Sequence, residues 1–209
     1  MLDKLEFDLY LIRHGESAVN AIPDLMGQSA DVPLTDKGRN QALLLSKLWE
    51  KTGTVFDGIF SSPYVRALDT AKIATKNILE FSEKINEPVE IVEIDALREY
   101  DAGDWLGLSR KETLTKDVKY KMNALNHVFL PPKGESQSMV ERRASEWLEE
   151  TFIHNPFVYG WYERKKSPLQ LALFSHGMTI KCLLHYILGF DKSLTWKISI
   201  DNTSVSKLS

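Results

Sequence analysis

The stretch Leu9-Tyr10-Leu11-Ile12-Arg13-His14-Gly15 decides how the chain is read. A short apolar run that breaks off at a cation, an imidazole and a glycine has the length and flanks of a buried strand ending in a loop. Working outward, Thr35 caps a predicted helix that runs to about Lys51. Asp36 lies in its first turn, Ala42, Leu45, Leu48 and Trp49 share one face, and Gly53 stops it. Residues 56–60 form a second strand, and Ser62-Pro63 reads as a helix start that places Arg66 in the first turn. Residues 89–94 are the next strand and lead into Leu97-Arg98-Glu99.

Further along, residues 109–122 are polar and basic with little periodicity, an excursion or lid with weak helical character. Helical spacing returns over residues 136–152, where Met139 or Val140, Ala144, Trp147, Leu148 and Phe152 fall on one side. Residues 169–174 are a buried strand, and His176-Gly177 opens a helix that ends at Gly189. Strands alternating with helices predict an α/β fold whose mainly parallel sheet is covered on both faces. Such sheets bind ligands beyond the carboxyl ends of their strands. His14, Arg66, Glu99 and His176 each follow a different strand, so one pocket can hold all four.

The 209 residues, 43% hydrophobic and 26% charged, suit one domain over residues 1–209 with a lid or insert at about 104–133. A formal net charge of -3 gives no footprint for nucleic acid and no attraction to an anionic membrane, so an anion site must be built locally. Cys182 is the only cysteine, which excludes an intramolecular disulfide and a cysteine-rich zinc site. No apolar stretch approaches the roughly 20 residues of a membrane-spanning helix. Residues 1–7 carry Asp3, Lys4 and Glu6 where an export signal would be apolar. A cytoplasmic protein is expected; its oligomeric state is not legible.

Phosphoryl transfer needs a nucleophile, donors for three oxygens, and an acid for the departing alkoxide. A neutral His14 supplies a lone pair for attack on phosphorus. Arg13 and Arg66 offer planar forks that match phosphate oxygens. A protonated His176 would be a third positive donor, and Gly15 and Gly177 would let backbone amides approach the phosphate. Glu99 fits the general acid that later activates water. A zinc site is not expected, because the chain has no His-Glu-x-x-His pattern or comparable spacing.

Leu11-Ile12-Arg13-His14-Gly15-Glu16-Ser17 resembles the signature of the histidine phosphatase superfamily, the phosphoglycerate mutase-like proteins. The likeness continues through Asn20, Pro33-Leu34-Thr35 with Gly38 and Gln41-Ala42, Ser61-Ser62-Pro63 with Arg66-Ala67 and Thr70-Ala71, and residues 97–103. It extends to Gly134-Glu135-Ser136, Ser175-His176-Gly177 and Asn202, and so covers nearly the whole chain. The resemblance implies a three-layer α/β/α sandwich, a phosphohistidine intermediate, and neither metal nor organic cofactor. It implies that Asn20 and Asn202 also contact the phosphate. It further implies a strand after Lys207-Leu208-Ser209, so a C-terminal piece beyond this sequence is expected.

Within the family, a phosphatase is favoured over a mutase. Mutases are expected to show Glu-Arg-His-Tyr-Gly at the acid block and paired arginines in a following insertion. This chain has Glu99-Tyr100-Asp101-Ala102-Gly103, and Arg142-Arg143 stands later in another context. A non-catalytic phosphate-binding scaffold is the alternative from a different class. A phosphorylated small molecule is the expected substrate, with a phosphoprotein as the second option, and specificity is expected in residues 21–31 and 109–130. The basic residues Arg110, Lys111, Lys116, Lys119 and Lys121 are read as a solvated face rather than a steering lid. Phe157, Tyr159, Trp161 and Tyr162 are read as core packing or a loop anchor.

Overall fold

Strand β1 (Phe7–Arg13) alternates its side chains between two apolar layers, and the rest of the sheet is laid around it. The computed structural model describes residues 5–20, 22, 24–27, 29–165 and 167–209; of the variable segment 21–31, positions 21, 23 and 28 lie outside them. Helix α1 (Asp36–Thr52) follows, then β2 (Gly58–Ser61), α2 (Val65–Lys84) and β3 (Ile91–Glu93). Next come two short helices, α3 (Arg110–Thr113) and α4 (Lys116–Leu125), then α5 (Gln137–Leu148), which runs on through a π-helical turn at Glu149–Ile153. The chain continues through α6 (Pro156–Lys165), β4 (Leu169–Ser175), α7 (Gly177–Leu188) and β5 (Val205–Leu208).

The strand order is β3-β2-β4-β1-β5, with every pairing parallel except that of β5 to β1. Leu9, Leu11, Leu169, Leu171 and Leu173 face Ala144 and Leu148 of α5 and Ile180 and Leu183 of α7. Ile12, Ala172 and Phe174 face Leu45 and Trp49 of α1 and Ala71 and Ala74 of α2. Each such aliphatic or aromatic side chain contributes about 1.5–3 kcal/mol on burial, so the period-two pattern fixes the register. A mixed α/β sheet between two helical layers results, as expected. Because Arg13 pairs with Ser175, β1 and β4 end side by side and the residues that follow them, His14 and His176, become neighbours.

A cap appears where the sequence places it at Thr35, whose hydroxyl accepts from the Gly38 amide, and Ser136 caps α5 by accepting from the Met139 amide. Several boundaries differ. Leu48 is 52% exposed, at the rim of the apolar face rather than within it. The second helix begins at Val65 behind Tyr64, not at Ser62-Pro63, and the Ser62 hydroxyl is engaged elsewhere. The 89–94 strand shrinks to three edge residues, while Leu97 is buried in the 3-10 turn behind it. Residues 109–122 are more helical than expected, with Ser109 and Thr115 capping α3 and α4. Residues 156–165 form a helix; Trp161 and Tyr162 pack against the core, whereas Phe157 is exposed.

Candidate active site

His14 leaves the end of β1 at 1% exposure, with Nδ1 2.7 Å from the Gly15 carbonyl. Donation from Nδ1 to that oxygen leaves the lone pair on Nε2. Burial, then the positive charges of Arg66 and Arg13, hold its pKa well below the ordinary imidazole value. The ring is therefore neutral at physiological pH, as a nucleophile must be.

His176, capping α7, lies with its ring centroid 5.1 Å from that of His14 and is fully buried. Its Nε2 is 2.8 Å from the Ser62 hydroxyl, which accepts from the Tyr64 amide at 3.3 Å. With the serine hydrogen directed at Nε2, the imidazole proton resides on Nδ1, which has no protein partner. Burial and the neighbouring His14, Arg66 and Arg13 push the pKa of His176 well down. The expected cation is thus corrected to a neutral N–H donor, because charging a buried ring beside two guanidiniums is unfavourable.

Arg66 is buried in the first turn of α2, gives Nη1 to the Ser29 carbonyl at 2.8 Å, and rests over the Tyr64 ring at 5.1 Å. Arg13 gives Nη1 to the Ile200 carbonyl at 2.5 Å. Arg13 Nε, Arg66 Nε and Nη2, and His176 Nδ1 are buried donors without a protein acceptor. Leaving such donors unpaired costs about 1–3 kcal/mol each, which an anion with several oxygens offsets.

Glu99 reaches the same region from the loop after β3. Its Oε1 accepts from the Tyr100 amide at 2.9 Å and its Oε2 from the Met178 amide at 3.4 Å, in the first turn of α7. Arg143 of α5 holds this loop. Its guanidinium donates to the carbonyls of Ala96 at 2.5 Å, Arg98 at 3.0 Å and Glu99 at 3.2 Å, and grips both oxygens of Glu135 at 3.0 Å.

Gly15 and Asn202 have partners within the chain itself. The Gly15 amide donates to Thr70 Oγ1 at 2.9 Å, so the loop acts on His14 through the Gly15 carbonyl instead. A Cβ at Gly15 would stand 2.6 Å from the Gly38 carbonyl oxygen, so glycine serves the approach of α1 rather than of an anion. Asn202 gives Nδ2 to the His14 carbonyl at 3.0 Å and to Asn20 Oδ1 at 3.3 Å, so it holds the backbone of His14. Asn20 and Gly177 do line the cleft, with Arg13 and Glu99. Ser62, Thr70 and Arg143 are the functional candidates that sequence reasoning left without a role. Ser62 and Thr70 lay inside the arginine block, but their partners are remote in sequence.

The cleft that reaches this site through Arg13, Asn20, Glu99 and Gly177 has a volume of about 580 Å³ and is also lined by Arg110, Leu114 and Met122 and by residues 196–200. Among the five basic lid residues, Arg110 lines it, while Lys119 borders an adjoining hollow. Among the described residues, no group of three or more His, Cys, Asp or Glu side chains is placed to hold a metal ion, and no helix is long and apolar enough to cross a membrane.

A family model described as the histidine phosphatase superfamily, branch 1, matches residues 9–209. The chain is 31% identical to phosphoserine phosphatase 1 of Hydrogenobacter thermophilus over 95% of this chain and 84% of that protein. It is 35% identical to a 2,3-bisphosphoglycerate-dependent phosphoglycerate mutase of Bartonella henselae, the match spanning 63% of this chain and 62% of the mutase. A solved structure described as mycobacterial hydrolase 1 superposes with a TM-score of 0.78 at 23% identity, covering 96% of this chain and 90% of the other.

Proposed function

The chain belongs to branch 1 of the histidine phosphatase superfamily, and on that premise we propose that it is a phosphatase that hydrolyses a phosphate monoester through a phosphohistidine on His14. The observation that carries this reading is the pair of buried, neutral imidazoles 5.1 Å apart among unpaired arginine donors. His14 Nε2 attacks phosphorus while Glu99 gives its proton to the leaving oxygen. Glu99 then takes a proton from water, water attacks phosphorus, and the N–P bond breaks to free inorganic phosphate and His14. Arg13, Arg66 and the His176 N–H balance the charge on the three equatorial oxygens. No metal or organic cofactor is assigned, since the two guanidiniums carry the positive charge that phosphoryl transfer requires. The reading takes residues 1–209 as one catalytic domain with a lid at about 104–133, and the single buried Cys182 is consistent with a reducing cytosol.

The mutase reading has named relatives behind it. Against it, Arg142 stands on the surface beside Glu146, and Arg143 is committed to the acid loop, so neither of the paired arginines lines the cleft. Turnover of p-nitrophenyl phosphate by the wild type, with a loss of about 10³-fold or more in His14→Ala, is the expected result. Phosphate binding without turnover across pH 5 to 8, for this and a panel of phosphorylated metabolites and phosphopeptides, would replace the enzyme by a scaffold. Brisk isomerisation of 3-phosphoglycerate with little free phosphate would replace hydrolysis by mutase chemistry.

A further inference from the structure

Beyond the phosphoryl groups, the cleft has a second chemistry. Arg110, Lys181 and Lys197 line it together with Arg13, and Glu99 is the one acid among its described lining residues. Glu99 is already held by two backbone amides, and no ion pair among the described residues involves Arg110, Lys181 or Lys197. Lys181 is half-buried on α7, one turn beyond Gly177, where burial draws its ammonium below the ordinary lysine value and Glu99 opposes that. A half-buried cation without an ion-pair partner, in a chain of net negative charge, marks a place built for an anion other than the one taken by Arg66 and His176.

The same cleft is lined by apolar and polarizable side chains, among them Met26, Trp105, Met122 and Trp196. The space also continues outward. A second hollow of about 500 Å³ shares Leu114, Met122, Trp196 and Lys197 with the first. Clefts of about 300–1,000 Å³ enclose ligands much larger than a three-carbon acid.

From this arrangement we infer that the preferred substrate is a phosphate monoester whose leaving group has an extended apolar or aromatic body carrying a second anionic group, received by Lys181 and Arg110. The inference rests on the hydrolase reading above and names the substrate class of that same site. Lys197, at the junction of the two hollows, receives the anion of the longer members of the class.

The test compares kcat/KM for phenyl phosphate, 4-carboxyphenyl phosphate and 3-phosphoglycerate, in the wild type and in Lys181→Met and Arg110→Met. These three probes separate the ring from the second charge. The wild type is expected to favour 4-carboxyphenyl phosphate over phenyl phosphate by about tenfold, mainly through KM, and over 3-phosphoglycerate by more. Each variant narrows the first ratio several-fold because it loses more on the carboxylated ester than on the plain one. Arg110 is exposed, so its variant folds whatever becomes of Lys181→Met. A wild-type ratio near one, a ratio that both variants leave unchanged, or a preference for 3-phosphoglycerate overturns the inference while the hydrolase reading stands. No phosphate released from any of the three esters, with the metabolite panel also silent, removes the hydrolase reading and this inference together.

Discussion

The buried floor beside the cleft and the helical wall of the cleft are built by opposite rules. On the floor, His14, Arg66 and His176 are buried and tied to Gly15, Ser29 and Ser62, so their positions are over-determined. On the wall, α3 and α4 have no buried residue at all. This segment is fastened instead by polar stitches at its root: Ser109 Oγ and the Lys111 amide bind the Asp24 carboxylate at 2.7 and 3.0 Å, and the Met26 amide binds the Leu108 carbonyl at 2.9 Å. Strand ends backed by two apolar layers can hold catalytic atoms to a fraction of an ångström, whereas surface helices can change shape and composition at little cost in stability. The two regions therefore differ in how much change they tolerate.

The sharpest way to break that contrast is to damage the floor without unfolding it. Arg66→Met keeps the bulk of the side chain but removes the fork, and is expected to lower kcat on p-nitrophenyl phosphate by about 10³-fold with a smaller change in KM. An effect confined to KM would show that Arg66 binds the ground state and the transition state equally. Next comes the support beneath the acid loop. Arg143→Met leaves the half-buried Glu135 carboxylate without its guanidinium and should destabilise by about 1–3 kcal/mol in urea denaturation, while Arg142→Met, on the surface, changes stability by less than about 0.5 kcal/mol. Burial pushes the Glu135 carboxyl up, but the Arg143 hydrogen bonds outweigh it and leave it below the ordinary value. The stability from this pair is therefore present above the ordinary carboxylate value and lost as pH falls through the lowered one.

Protonation probes the floor as a whole. With both imidazoles held well below their ordinary value, the unfolded chain binds protons first as pH drops. Stability should be complete above about pH 6.5 and fall below it, by up to about 1.4 kcal/mol per pH unit for each ring. A urea midpoint that stayed level from pH 7 to 5 would mean that the rings are charged in the native state. A milder perturbation is Ser62→Ala, which frees the His176 tautomer: kcat should drop about tenfold and the pH profile should shift, because Nε2 loses its partner. An unchanged profile with lower stability would make Ser62 purely structural. Smallest of all, Tyr120→Ser on the exposed side of α4 should alter stability by no more than about 0.5 kcal/mol, and α4 amides should exchange hydrogen far faster than those of β4.

Legibility followed the same division. Leu9 to Ile12 and the 169–174 run revealed their strands because burial on both sides selects continuous apolar residues, and His14, Arg66, Glu99 and His176 could be placed together from strand ends alone. Ser62 could not be understood that way. Its sequence context matched a helix start, while its partner His176 lies 114 residues away. Asn202 is 188 residues from the carbonyl it holds, a partner that no local spacing reveals. The helices at 110–125 and 156–165 stayed hidden because neither buries a regular stripe: α4 has no buried residue and α6 has Val158 alone among the described side chains.

The hydrogen bonds from residues 200–203 back to Arg13 and His14 also impose an order in time. A ribosome delivers the nucleophile early and its anchors almost two hundred codons later, an interval on the order of ten seconds or more. Throughout that interval the His14 carbonyl waits for Asn202 and Thr203, so the full set of backbone ties on this residue closes only after synthesis has passed Thr203.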